Sequence, residues 1–256
     1  LEDVDITERT NHIPTALYNA MIHPLIPYTF QGALWYQGET NRLEPEAYRE
    51  LFPAMVKDWR TRWGIGDFPF YFVQIAPYWY NDNEAFSTAE NSAFIRETQL
   101  QCVDLIPNSG IAITMDIGDE LCIHPPKKKE VADRLLFNAL HLTYGFEAVD
   151  GKSPVYTSME IQKGKVLLSF KNAETGLFAF EGLNGFEIAG KDKVFYPASA
   201  KIADRQKIEV FCDQVKKPVA VRYAWSNWVE GTLFDTRLLP ASSFRTDSWL
   251  DATRAN

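Results

Sequence analysis

The chain has 256 residues with a hydrophobic content of 46% and an aromatic content of 14%, which is ample for a packed core and excludes an intrinsically disordered chain. Its formal net charge of −8 argues against nucleic acid as a partner, because phosphate binding needs a basic face. No stretch approaches the roughly 20 apolar residues of a membrane-spanning helix. Cys102, Cys122 and Cys212 are an odd number at wide spacing and make neither a disulfide framework nor a metal-ligand pattern. His12, His23, His124 and His141 form no ligand-spaced pair, so neither a metal nor a cofactor is expected.

The first predicted strand is Gly32–Tyr36, an apolar run that ends abruptly in Gln37-Gly38-Glu39-Thr40-Asn41. An α/β sheet delivers polar groups to a site in this way, at the carboxyl end of a strand. Gly38 has no Cβ to obstruct close approach of the backbone to a ligand, and the neighbouring side chains place two amides, a carboxylate and a hydroxyl in one loop. An ordinary polar turn after a strand is the plain alternative.

Tyr48, Leu51, Phe52, Met55 and Trp59 recur at helical intervals and predict a helix over Glu46–Arg62, with Pro53 as a source of a kink. A strand over Phe70–Ile75 follows, then the aromatic loop Tyr78-Trp79-Tyr80, with the form of either a sugar platform or a core edge. Next come a helix over Ser92–Leu105 and a strand over Gly110–Met115. The segment Asp116-Ile117-Gly118-Asp119-Glu120-Leu121-Cys122-Ile123-His124-Pro125 leads into a helix over Lys127–Leu142. A histidine before a proline, between a strand end and a helix start, is held outside regular structure. With three acidic residues just upstream it has the makings of the oriented general base of acyl transfer, against the plain reading of a surface histidine in a loop. Lys127-Lys128-Lys129 is the only basic cluster, and its default role is a solvated helix face.

The βαβα rhythm implies a parallel sheet covered on both faces. Beyond about Gly151 the pattern changes to short strands separated by Gly, Asn and Asp turns. The clearest are Val166–Phe170, Phe186–Ala189, Lys207–Phe211 and Val219–Trp225. This predicts an antiparallel sandwich or half of one. The expected division is 1–147 for the α/β part and 148–256 for the β-rich part.

Leu17–Leu25, Trp35–Asn41, Phe94–Leu100, Asp116–Asp119 with Ile123-His124-Pro125, Ala220–Trp228 and Leu239–Asp247 together resemble the sialate O-acetylesterases of the SGNH hydrolase superfamily. The resemblance implies the C-terminal part of a three-layer, flavodoxin-like SGNH domain followed by a β-rich domain. It also implies a carboxylic ester hydrolase that removes O-acetyl groups from sialic acid without a cofactor, in an extracellular or periplasmic setting. His124 is then the catalytic base, Gln37, Gly38, Glu39 and Asn41 line the oxyanion and substrate site, and the three lysines lie near the histidine to help an anionic sugar approach.

Two departures stand beside the matches. The family's nucleophilic serine sits in a Gly-Gln-Ser-Asn-Met segment, absent here, so an upstream segment of the same protein is the expected partner together with the acetylated sugar. The superfamily's usual acid lies three residues before the histidine, where this chain has Leu121. Asp119 is the expected substitute, with Glu120, Asp116, a backbone carbonyl or no acid partner as alternatives. Competing readings are a non-catalytic carbohydrate-binding or assembly fragment, an acetylesterase for another sugar such as acetylxylan, and a complete hydrolase using Ser92, Ser109 or Cys122.

Overall fold

A computed structural model describes residues 13–80 and 91–255; His12 lies outside them. Strands β1 (Ala33–Tyr36), β2 (Phe70–Val73) and β3 (Ser109–Ala112) form a parallel sheet in the order β1-β2-β3. Ala33 pairs with Phe70 and Phe70 with Ser109, so the three carboxyl ends lie side by side. Side chains alternate across this sheet as the strand period requires. Phe70 and Phe72 pack with helices α1 (Pro45–Trp63) and α2 (Ala93–Leu105) on one face. Tyr71 and Val73 pack with α3 (Lys128–Leu142) on the other.

Helix α1 begins with Pro45, whose missing N–H costs nothing in a first turn, and ends at Gly64 with φ 65°, whose N–H donates to Arg60 O. Pro53 is accommodated inside it. Its buried stripe is Tyr48, Phe52 and Val56. Leu51, expected on that stripe, is 64% exposed, since it stands about 100° around the helix from Phe52. The strand expected to reach Met115 stops at Ala112 because the chain leaves the ladder there. Thr114 Oγ1 donates to Gln74 O at 2.6 Å, and Met115 O accepts the N–H of Gly231 from the β-rich part.

The β-rich part contains two main sheets. One is antiparallel, ordered β4 (Val155–Gln162), β5 (Lys165–Lys171), β10 (Lys207–Phe211), β9 (Ser199–Asp204). The other is ordered β13 (Phe244–Arg245), β11 (Ala220–Tyr223), β7 (Phe186–Ala189), β8 (Val194–Pro197), β14 (Thr253–Arg254), the last pair being parallel. The pair β6 (Leu177–Phe178) and β12 (Phe234–Asp235) completes it. Val166, Leu168, Ile208 and Val210 meet Phe186, Ile188, Val221 and Tyr223 in one core, giving the expected sandwich.

That core also takes in Ile113 and Met115 from the end of β3. The outer face of the β7–β11 sheet, through Ala189 and Ala220, packs on Ala93 and Phe94 of α2. Arg96 of α2 is fully buried. Its guanidinium donates to Ser92 Oγ, Ser243 Oγ and the carbonyls of Ala224 and Ser226. Burial pulls its pKa down to about 10. The α/β layer and the sandwich are therefore joined by apolar contact and by a buried cation whose donors meet neutral oxygens.

Candidate active site

The turn after β1 is built from behind. Gly38 has φ 152°, and a Cβ there would stand 2.6 Å from Gln99 Nε2 and 2.9 Å from Ile75 Cγ2. Glycine is thus required by the packing of α2 and β2 against the turn. Gln99 is fully buried; its Oε1 accepts the N–H of Ile75 at 2.9 Å and its Nε2 donates to Gln37 O at 3.2 Å. Tyr48 donates its hydroxyl to the same carbonyl. One glutamine side chain therefore ties the end of β1 to the end of β2. Gln99 falls in the family-like segment Phe94–Leu100, but nothing in the sequence assigned it this role. On the outer side, Gln37 Nε2 donates to Asn41 Oδ1 at 2.6 Å, and Asn41 N–H donates to Gly38 O as the chain enters a short 3₁₀ turn, Thr40–Leu43.

The connection from β3 to α3 crosses the same end of the sheet. A Cβ on Gly118 would stand 2.3 Å from Pro77 O, and the N–H of Trp79 donates to Glu120 O at 3.3 Å. The loop is thereby seated on the chain that follows β2. Asp119 Oδ1 accepts the backbone N–H groups of Leu121 and Cys122 at 2.9 and 3.0 Å. The Cys122 thiol donates to the His124 carbonyl at 3.3 Å. Pro125 is buried, while His124 is exposed and Leu121 is 87% exposed. Among the described residues no hydrogen bond joins Asp119 to the His124 ring; the carboxylate shapes the loop that carries the histidine. Asp116 is engaged elsewhere, in a two-point pair with Arg134 at 2.8 and 2.6 Å.

The two segments meet through their neighbours. Lys128, four residues after His124, holds its ammonium 5.0 Å from the centre of the Tyr36 ring. The guanidinium of Arg42 lies 4.4 Å from the centre of the Tyr80 ring, and Tyr80 meets Tyr78 edge to face at 4.8 Å. Burial and then the charge of Glu39 push both the Tyr36 and Tyr80 hydroxyls up to about 12. Tyr36, Glu39, Arg42, Tyr80 and Lys128 thus form a polar, aromatic surround at the carboxyl end of the sheet. Only part of it was legible: the loop Tyr78-Trp79-Tyr80 stood out, whereas Arg42 and the partnership of Tyr36 with Lys128 did not.

The local serines are otherwise engaged. Ser92 is fully buried and its hydroxyl accepts from Arg96 at 2.8 Å. Ser109 opens β3, at the opposite end of the strand from the His124 loop, and its hydroxyl donates to Val103 O. Among the described residues no group of three or more His, Cys, Asp or Glu gathers as metal ligands do, and no helix is long and apolar enough to cross a membrane.

Residues 7–134 match the family of carbohydrate esterases described as sialic acid-specific acetylesterases. The sialate O-acetylesterase of Pongo abelii is 31% identical over 235 residues, 84% of this chain and 44% of the relative. That of Mus musculus is 30% identical over 246 residues, 88% of this chain and again 44% of the relative. The crystal structure of a carbohydrate acetylesterase from Xanthomonas citri superposes with a TM-score of 0.87 at 38% identity, over 94% of this chain and 56% of that one. The chain thus spans about half the length of the relatives it matches. With half of its residues matched by the family model, the chain belongs to the sialic acid-specific acetylesterase family of carbohydrate esterases.

Proposed function

We propose that this chain is the histidine-bearing part of a carbohydrate O-acetylesterase whose nucleophilic serine lies on a polypeptide segment preceding it. The observation that carries the reading is the convergence of the Gln37-Gly38 turn and the His124 loop at one sheet end, bridged by Tyr36 and Lys128. The serine hydroxyl attacks the acetyl carbonyl while His124 takes its proton, and the oxyanion is met by backbone N–H groups and the Gln37-Gly38 turn. Such donors contribute on the order of 3 kcal/mol each. The sugar hydroxyl leaves with the proton from His124. Water activated by the same ring then cleaves the acyl-enzyme to acetate. Asp119 acts on the histidine through the loop it caps, and Asn41 and Glu39 hold the turn and its charge.

The partner segment is supported by what β1 lacks. Among the described residues β1 pairs with β2 alone, and on the α3 face Leu34 is 65% exposed. An unpaired parallel edge with an uncovered apolar face is the place where a further strand and helix of an α/β sheet belong. The names of the relatives support O-acetylated sialic acid as substrate, and an extracellular or periplasmic setting is proposed from the family resemblance. The lysines that open α3 suit an anionic sugar.

The engagement of Ser92 and Ser109 favours one second reading, a carbohydrate-binding or assembly fragment without catalysis. The discriminating experiment is acetate release by the chain with and without a serine-bearing segment ahead of Leu1. Turnover confined to the extended protein supports the esterase, and none in either supports the fragment.

A further inference from the structure

A groove of about 740 Å³ runs between α3 and the loops of the β-rich part, and neither His124 nor Gly38 lines it. Phe180 stands at its wall, 66% exposed. It is braced edge to face by Phe178 at 4.9 Å and by Phe234 at 5.6 Å. An aromatic face this open contributes nothing to a core, yet two perpendicular rings fix its orientation, as a stacking platform requires.

The polar lining is as selective. Both guanidiniums in the groove are neutralised, Arg134 by Asp116 and Arg237 by Asp235 and Asp150. Glu130, Glu181 and Glu230 line it without an ion pair among the described residues. The surface therefore offers acceptors for hydroxyl groups and repels an anion. Its floor is fixed to the catalytic layer, for the N–H of Gly231 donates to Met115 O at 2.9 Å. Asp116, at the groove's edge, opens the connection that carries His124.

We propose that this groove is a second carbohydrate-binding site, which holds neutral sugar units of the glycan while the acetylated sugar is processed at His124. Phe180 stacks on the C–H face of one pyranose ring, and Glu181 and Glu230 accept its hydroxyls. The proposal deepens the acetylesterase reading, from which it takes only the class of polymer, and binding to the groove requires no catalysis.

Isothermal titration of the chain with cellohexaose, xylohexaose and lacto-N-tetraose, and with N-acetylneuraminic acid as the anionic control, tests it. The expected result is saturable binding of at least one neutral oligosaccharide. Phe180→Ala weakens it at least about tenfold and the pair Glu181→Gln with Glu230→Gln about threefold or more, while His124→Ala leaves it unchanged. Phe180 is a surface side chain, and a melting temperature for Phe180→Ala within a few degrees of the parent confirms its fold. Three outcomes overturn the proposal: no neutral sugar binds, binding survives Phe180→Ala, or His124→Ala abolishes binding. The last places the sugar in the catalytic cleft and leaves the esterase reading intact.

Discussion

The ammonium of Lys128 stands 5.0 Å from the centre of the Tyr36 ring, which fixes the start of α3 against the end of β1. His124 lies four residues before that lysine and Gly38 two residues after that tyrosine. This contact, beside the apolar packing of Tyr36 on Val131 and Leu135, sets side by side the two segments to which the proposed acyl transfer is assigned.

His124 is exposed, with no side-chain hydrogen bond among the described residues. His124→Ala is expected to leave stability within about 0.5 kcal/mol of the parent, as for an ordinary surface substitution. In the serine-bearing protein it should lower acetate release by about 10⁴-fold or more. Thermal melts and a coupled acetate assay on the same preparations check both halves.

Asp119 separates two roles by its substitutions. As a loop cap it needs an acceptor at Oδ1 for the N–H groups of Leu121 and Cys122, which asparagine retains. Asp119→Asn is therefore expected to keep most of the activity and Asp119→Ala to lose it. A loss near 10⁴-fold in Asp119→Asn, the scale seen when a serine-protease acid is neutralised, would instead give the carboxylate a direct role on the imidazole.

Gly38→Ala places a methyl group 2.6 Å from Gln99 Nε2, at a backbone angle that side chains rarely adopt. A loss of about 1–3 kcal/mol in denaturant unfolding is expected. Gln99→Ala in the same background should recover part of it by removing the clash, which a double-mutant cycle measures.

Burial holds the hydroxyls of Tyr36, Tyr48, Tyr80 and Tyr223 up to about 12. A phenol whose folded pKa lies above its unfolded value of about 10 keeps its proton in the native state after the unfolded chain has lost it. The resulting stability is whole below pH 10 and is lost as pH rises towards 12. Absorbance at 295 nm should show these four among the 11 tyrosines ionising only as the protein unfolds.

Sequence periodicity located the strands Phe186–Ala189 and Lys207–Phe211 with their observed limits, because each alternates between a buried sandwich face and a second environment. The helices were legible for the same reason, their stripes facing one sheet. β4 and β9 were missed, since most of their side chains are exposed and leave little hydrophobic pattern. In the site, Gly38 and His124 stood out as residue types with unusual backbone or acid–base capacity. Gln99 and Arg96 lay in the family-like segment Phe94–Leu100, but their roles were not legible, because these come from burial against segments 62 and up to 147 positions away in sequence. No local pattern encodes such partners.

Catalysis is proposed to need a serine from outside these 256 residues. Acetate release should be measured from 4-nitrophenyl acetate and from an O-acetylated sialic acid, with the chain's intact mass confirmed. No turnover is expected from the chain alone, and turnover sensitive to His124→Ala is expected once a serine-bearing segment is joined ahead of Leu1. Robust turnover by the chain alone, abolished by substituting Ser92, Ser109 or Cys122, would contradict the account.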